Sequence, residues 1–464
     1  MNKQKFLVIC LAASLFAATN ISFCAETKKQ DKALKGSVTD YRAEFINKDW
    51  WNRFNDPVLS EYIFKAANAN HDLKMATLRV SETKAIVQQY FGKEFPVVSL
   101  GGNVQREKTS DNVSMGNFKL STYSQSKFNF PLSVNYELDL WQKNREKTLG
   151  AAKELEAVKY DERAAYISLT STVAAVYFNT LMTDKLIELQ KQILDLRKEQ
   201  FELTKEKNTY GLCPLSDVIQ SEKTLTEAQT ALTDLEKQQS IFMNQLSVLI
   251  GESVDNAGSL KRSSLDDIDL IKDIPSSIKS DIVQKRPDIL KAEALLQKTK
   301  IDVDLARKDF LPSIEITGQY GFLANSLSKT FNSHSYIASV GAGLMQTIFS
   351  GGQKIARLKA SKFKYEQMIE SYQKTILQSF QELNDSLASL KADNTKNDNN
   401  ISCVNLEKKN LNLINTRYKV GTISYLDSLE YKSKLITLEK EQIQSKTDCL
   451  IDSLSLYKAA GGKL

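Results

Sequence analysis

The sequence predicts a membrane protein of the α+β class, built twice on one plan, in which very long helices alternate with short two-faced strands. Three observations carry that expectation. Two runs, Gly150 to Gly211 and Gly352 to Gly421, hold neither glycine nor proline between their ends, so nothing local breaks a helix there. Other segments alternate apolar and polar residues with period two, the sign of a strand with one apolar face. An ordered set of residues also recurs at a spacing near 210, and self-similarity at a fixed period marks a repeated architecture.

Lys3 and Lys5 precede the apolar stretch Phe6–Phe16 and a small polar region near Ser22, the layout of a secretory signal peptide, so residues 1–24 are expected to direct the mature chain out of the cytoplasm. That stretch is too short to span a bilayer comfortably. No later window holds the roughly 18 uninterrupted apolar residues of a membrane helix, so membrane contact has to come from strands. Two readings of the cleavage site stand side by side. Ile21-Ser22-Phe23-Cys24 resembles a lipobox, with Cys24 as the acylated first residue and Phe23 where Gly, Ala or Ser is usual. Alternatively, an ordinary cut follows Cys24, with Ser22 and Cys24 as the small recognition residues. Acylation would add about 0.8 kcal/mol of membrane affinity per buried methylene.

A chain of 464 residues can bury one large core or several, and its 18 glycines and 7 prolines are few enough to favour long helices. The 62 basic and 56 acidic residues, net +6, are mixed along the chain and form no basic face, which argues against a nucleic-acid partner. Two of the five cysteines lie in the signal region; Cys213, Cys403 and Cys449 remain, an odd set without paired spacing that argues against a disulfide framework. His71 and His334 are the only histidines, too little material for a His-based metal cluster or a nucleophile–base–acid set. No catalytic residue, metal ligand or cofactor is therefore expected.

The repeat runs in order. Asp72, Pro96 and Gly102 recur as Asp288, Pro312 and Gly318, displaced by about 216 residues; Gln142-Lys143 recurs as Gln353-Lys354, displaced by about 211. Gly211, Asp217, Leu225 and Gly251 recur as Gly421, Asp427, Leu435 and Gly461, displaced by about 210. Each half reads as helix, strand, strand, very long helix, turn and shorter helix. About 60 helical residues reach roughly 90 Å. Leu186, Leu189, Ile193, Leu196 and Leu203 follow a heptad seam in the first long helix, as do Val404, Leu411, Ile414 and Tyr418 in the second. The polar stretch Lys391–Asn400 is a point where the second long helix is expected to loosen or break.

Phe128, Phe130, Leu132, Val134, Tyr136 and Leu138 alternate with polar residues, as do Ile314, Ile316, Tyr320 and Phe322, and Tyr336, Ala338, Val340, Ala342 and Leu344. A weaker strand covers Val98–Gln105, giving two hairpins, one per half. The polar connections Glu107–Lys127 and Ala324–Ser335 suit the longer external loops of an outer-membrane barrel. Four strands cannot close a lipid-facing barrel, because open edges leave backbone groups unpaired in hydrocarbon. The pore has to be an oligomer.

A series of short motifs spans nearly the whole mature chain: Trp50-Trp51 with Phe54 and Asp56-Pro57-Val58-Leu59; Asp72-Leu73 with Ala76 and Arg79; Glu137-Leu138-Asp139-Leu140-Trp141; Leu249-Ile250-Gly251; Arg286-Pro287-Asp288-Ile289 with Ala292-Glu293; Pro312 with Ile314 and Gly318; Phe349-Ser350-Gly351-Gly352; Tyr418 with Gly421; and Tyr457 with Gly461-Gly462. In this order they resemble the TolC-like outer-membrane factors, and within them the NodT-type efflux branch. Gln142 stands where that family usually has Gly, and Ser350 where relatives often have Asp.

The resemblance implies a homotrimer whose chains give four strands each to a 12-stranded β-barrel, continuous with a 12-helix periplasmic α-barrel and a mixed equatorial domain. It implies an outer-membrane efflux channel that extends into the periplasm and conducts drugs or other small molecules. Its implied partners are outer-membrane lipid, a periplasmic adaptor (a membrane fusion protein) and an inner-membrane RND, MFS or ABC pump. On this frame residues 25–56 are an equatorial or anchor segment, 57–251 the first repeat, 252–285 an equatorial linker and 286–464 the second repeat. Two rivals stand beside it: the exit duct of type I protein secretion, and a periplasmic coiled-coil structural or adaptor protein with no pore.

Function is then expected at the helical tips. Gly211 with Pro214, and Gly421 with Thr422, let the long helices reverse, and these turns are expected to meet the adaptor. Asp217 and Asp427 occupy equivalent positions past the turns; Asp427 and Glu430, three residues apart, share a helix face. The resemblance places Asp427 and Glu430 at the pore constriction, as anionic rings that favour cations, with Tyr418 taking part in closure. A plain helix start, where Asp suits the helix dipole, is the competing reading of Asp427. An Arg latch that some relatives carry has Ile423 in its place here.

Overall fold

The computed structural model describes residues 48–108, 110, 114–115, 118–119, 124–271 and 283–462. The signal peptide, Cys24, residues 25–47 and parts of the first polar loop and of the linker at 252–285 lie outside them. In chain order the helices are α1 (Lys48–Asn52), α2 (Pro57–Ala69), α3 (His71–Gly92), α4 (Lys143–Thr209), α5 (Leu215–Ile250), α6 (Pro287–Lys308), α7 (Gln353–Lys419) and α8 (Tyr425–Ala459). The principal strands are β1 (Val97–Leu100), β2 (Asn103–Lys108), β3 (Ser124–Glu137), β4 (Ser313–Ala324) and β5 (Tyr336–Met345). None of the described helices is apolar enough to cross a membrane. α4 and α7 each run 67 residues, about 100 Å of helix.

The chain forms two compact units, and each draws on both halves of the sequence: Glu82–Glu156 with Ala294–Ile369 in one, and Asn47–Ser81, Ala157–Glu293 and Glu370–Leu464 in the other. The repeats are therefore not separate packing units.

In the first unit β1 and β2 pair with β3, β3 with β4 and β4 with β5, all antiparallel. The expected single strand at Val98–Gln105 is split at Gly101-Gly102, with its register unchanged on either side: Val97 faces Asn135 and Asn103 faces Asn129. The break lies opposite Pro131, which has no N–H to give to the ladder; Gly101 donates its N–H to the Pro131 carbonyl at 2.8 Å. On the other side of Pro131 stands Gly321. A Cβ there would fall 2.2 Å from the Phe130 carbonyl oxygen, so this neighbour must be glycine.

The register fixes two faces. Leu100, Leu132, Tyr320 and Ala338 form one cross-strand row, and Val98, Val134, Gly318 and Val340 the next. Because side chains alternate, this face is apolar, while Ser99, Ser133, Gln319 and Ser339 make a polar row on the other. Val340 is 87% exposed, although it belongs to the apolar face.

α4 begins at Lys143, seven residues before the glycine taken from sequence as its start. Asp139 caps it, accepting from the N–H groups of Asn144 at 3.0 Å and Arg145 at 2.9 Å. Gln142 just before it has φ 58°, a left-handed conformation that favours glycine. Gly150 lies inside the helix, where a Cβ would meet Ile301 of α6 at 3.6 Å. Ion pairs Glu146–Lys308 at 2.7 Å and Glu154–Lys298 at 2.8 Å run along the same α4–α6 contact.

In the second unit Trp50 and Trp51 are core residues. Trp50 stacks on Tyr457 at 4.1 Å, and Phe54 meets Phe178 edge-on. Buried Asp56 caps α2 through the Val58 N–H at 2.8 Å, and it accepts from the Tyr177 hydroxyl at 2.7 Å and from Ser263 at 3.0 Å. Arg286, also buried, donates to the Ala459 carbonyl at the end of α8 at 2.7 Å and to Glu382 and Asp288 at 2.6 and 2.7 Å. Burial pushes the Asp288 carboxyl up, but the hydrogen bonds and charge of Arg286 outweigh it and hold the group below the usual carboxylate range.

The α4–α5 seam is built from Ile187 and Leu194 against Ala228 and Leu232, one step around the helix from part of the heptad read in sequence. The polar stretch Lys391–Asn400 does not interrupt α7. Its polar groups are used across the α7–α8 seam: buried Asn397 accepts from Ser445, and Lys396 pairs with Asp448 at 3.4 Å.

Arg286→Met removes three charge-assisted hydrogen bonds. Their partners are partly solvated, so the expected loss is about 2 kcal/mol, read as a lower thermal transition of the detergent-solubilised protein. The depressed Asp288 carboxyl adds stability that is present at neutral pH and lost as pH falls through its lowered value. The gap between wild type and Arg286→Met should therefore narrow in acid.

Candidate functional site

The two tips are closed by the same device. At the first, the Gly211 N–H donates to Asn208 at 2.8 Å and the Leu212 N–H to Lys207 at 2.9 Å; at the second, Gly421 donates to Tyr418 and Thr422 to Arg417, both at 2.9 Å. Each glycine sits in the left-handed region, φ 69° and 78°. Together these are Schellman ends, which satisfy the last carbonyls of a helix before the chain reverses.

Beyond the turns the tips differ. Ser424 caps α8, and a capping box is complete: the Ser424 hydroxyl accepts from the Asp427 N–H at 3.1 Å, while the Asp427 carboxylate accepts from the Ser424 N–H at 3.1 Å and its hydroxyl at 2.7 Å. Those hydrogen bonds hold the Asp427 carboxyl below its usual range. Pro214 stands at the matching place before α5 and gives no side-chain cap; Asp217 there accepts only from the neighbouring Ser216 hydroxyl, at 3.2 Å. The first tip leaves Tyr210 72% and Leu212 75% exposed.

Asp427 and Glu430 share a face of α8, but their carboxylates serve different partners. Glu430 takes the Arg197 guanidinium of α4 at 2.6 Å, and Arg197 also reaches Ser433 at 3.2 Å. Two residues along α4, Glu199 accepts from the Tyr425 hydroxyl at 2.7 Å, which raises the Tyr425 pKa. Tyr418 packs on Tyr425 with ring centroids 5.2 Å apart. Arg197, Glu199 and Tyr425 were missed in the sequence because Arg197 and Glu430 lie 233 residues apart, and no local pattern announces such a pair.

Among the described residues no group of three or more His, Cys, Asp or Glu side chains is placed to hold a metal ion.

The family model described as "Outer membrane efflux protein" matches residues 63–252 and 279–462, well over half of the chain. The toluene efflux pump outer membrane protein TtgC of Pseudomonas putida is 28% identical over 419 residues, 89% of this chain and 84% of TtgC. The cation efflux system protein CusC of Escherichia coli is 24% identical, with full coverage of both chains. Among solved structures, the Campylobacter jejuni CmeC outer membrane channel superposes with a TM-score of 0.83 at 24% identity, over 90% of this chain and 88% of CmeC.

Ser424→Ala removes the cap of α8 and is expected to cost about 1 kcal/mol locally, seen as roughly fivefold faster hydrogen exchange in its first turn. Because the Asp427 carboxyl is depressed in the folded tip, the capping box is intact at neutral pH and weakens as pH falls through that lowered value. The protection difference should shrink in the same direction.

Proposed function

Because the chain belongs to the outer membrane efflux protein family, and is an outer-membrane efflux channel that extends into the periplasm, not an enzyme, we propose that three copies close it into a conduit. Three four-stranded sheets make a 12-stranded barrel with the apolar face toward lipid, and three sets of long helices make a 12-helix periplasmic barrel. The observation that carries this reading is the sheet: one face is apolar throughout, and its outer strands, β1/β2 and β5, each lack a partner on one side. Unpaired edges in hydrocarbon cost several kcal/mol per group. Pairing β5 of one copy with β1 of the next removes both. Exposed Leu215 and Ile219 on α5, and Leu406, Leu413 and Val420 on α7, supply apolar stripes for the same contacts. The recurrence of Schellman glycines at Gly211 and Gly421 supports an internal duplication.

The tips are the periplasmic mouth. The turns at Gly211, Pro214, Gly421 and Thr422 face the adaptor, through which an inner-membrane RND, MFS or ABC pump delivers drugs or other small molecules. Cys24 is the lipid attachment point of a NodT-type lipoprotein. Within each chain Arg197–Glu430 and Tyr425–Glu199 hold α8 against α4, and opening separates them. Each half-exposed contact contributes at most about 1 kcal/mol, so the latch yields to a partner that grips the tip. Glu430 is neutralised by Arg197 while the latch is shut, which leaves Asp427, with Asp217 at the companion tip, as the anionic ring.

Purified protein should have the mass of three chains and conduct ions across a planar bilayer; a monomer without conductance rejects the assembly. Asp427→Asn should lower cation selectivity in a salt gradient. Arg197→Gln should instead raise both open probability and cation selectivity, because it frees the latch and uncovers Glu430.

A further inference from the structure

A cavity of about 330 Å³ lies where the sheet of the first unit meets the start of α7. Ser313 and Met345, directly paired across β4 and β5, form one wall. By strand alternation they belong to the polar face, since their neighbours Ile314 and Leu344 belong to the apolar one. The cavity therefore opens on the side that, in the proposed trimer, lines the conduit. Lys143, Lys354 and Arg357 converge on it, and Asp309 receives Lys143 at 2.7 Å and Arg357 at 2.8 Å. Asp309 is only 13% exposed, whereas Arg357 is 69% exposed. The carboxylate thus acts as an anchor that orders two cations around an open space, with the Arg357 guanidinium still reaching solvent.

The charge does not balance. One further turn along α4 from Lys143 is Lys147, whose ammonium is pushed below its usual pKa by burial and then by Lys143, against the opposing pull of Glu137 and Asp309. Four cations face two carboxylates. Leu311 and Met345 add apolar wall beside the polar Ser313 and Thr347. A guanidinium and two ammonium groups beside an apolar wall match an organic anion, with its carboxylate or sulfonate on the cations and its hydrocarbon on the wall.

We propose that this cavity is a waypoint for organic anions at the mouth of the β-barrel, so that the conduit carries a positive band there besides the anionic ring at its tips. The inference rests on the proposed closure of three chains, which turns the polar face into the lumen. Three copies of the cavity would concentrate anions locally and set which cargo passes.

The test is a reversal-potential measurement on the purified full-length channel in planar bilayers, with gradients of potassium benzoate and of potassium chloride. In Lys354→Gln/Arg357→Gln the benzoate-to-potassium permeability ratio should fall by about threefold or more, and the chloride ratio less, since chloride cannot use the apolar wall. Lys354→Arg/Arg357→Lys should restore it, which separates charge from packing. A benzoate ratio unchanged in a conducting Gln variant overturns the waypoint while leaving the channel reading intact. Wild-type protein that conducts no ions overturns the channel, and the waypoint with it.

Discussion

A β-strand in hydrocarbon has no water to satisfy its backbone, and this one constraint governs how the chain is built. Four strands with an apolar face and two open edges are not a finished structure. The same sheet repeated around a three-fold axis is. Every feature that lets the edges meet in register then becomes important, including the interruption at Gly101-Gly102. Pro131 takes one donor out of the ladder in the middle of the sheet, and glycines on both flanking strands let the neighbours close in around it. The strand bends locally without slipping a residue, which would have turned its apolar side chains toward water.

Where the chain leaves the sheet it obeys ordinary aqueous rules. The long helices carry their charges in interhelical pairs and bury narrow apolar seams, so no described helix is greasy enough for a bilayer. Asp139 starts α4, Asp56 starts α2, and Ser424 with Asp427 starts α8, each satisfying amides that a helix leaves free. The family motifs are largely these fasteners. Asp56-Pro57 ties α2 to Tyr177 and Ser263, and Arg286-Pro287-Asp288 grips the last turn of α8.

The two tips show how a repeated plan acquires different roles. Both reverse through a left-handed glycine, and both carry an aspartate three residues after the cap position. At Ser424 that aspartate is locked into a capping box, with Glu430 and Tyr425 tied to α4 nearby. At Pro214 no side chain can cap, and apolar residues are left facing water. A conduit that is to open at one end needs both kinds of surface: contacts that hold its own helices together, and a face left for something else to grip.

Much of this was legible in the sequence. Period-two alternation located the strands and their apolar face, the absence of glycine and proline located the long helices, and the spacing near 210 located both tips, because these are local or periodic properties of a chain. The split at Gly101, the start of α4 at Lys143 and the unbroken α7 through Lys391–Asn400 were not legible, since each depends on what stands opposite: Pro131, Asp139, or Ser445 and Asp448. The same holds for Arg197 with Glu430, and for Lys143 with Asp309 and Arg357. Sequence determined which segments must be helix, strand or turn. Only tertiary structure decided which charges meet across them, because ion-pair partners are chosen by proximity in space, and proximity between residues hundreds apart leaves no local trace.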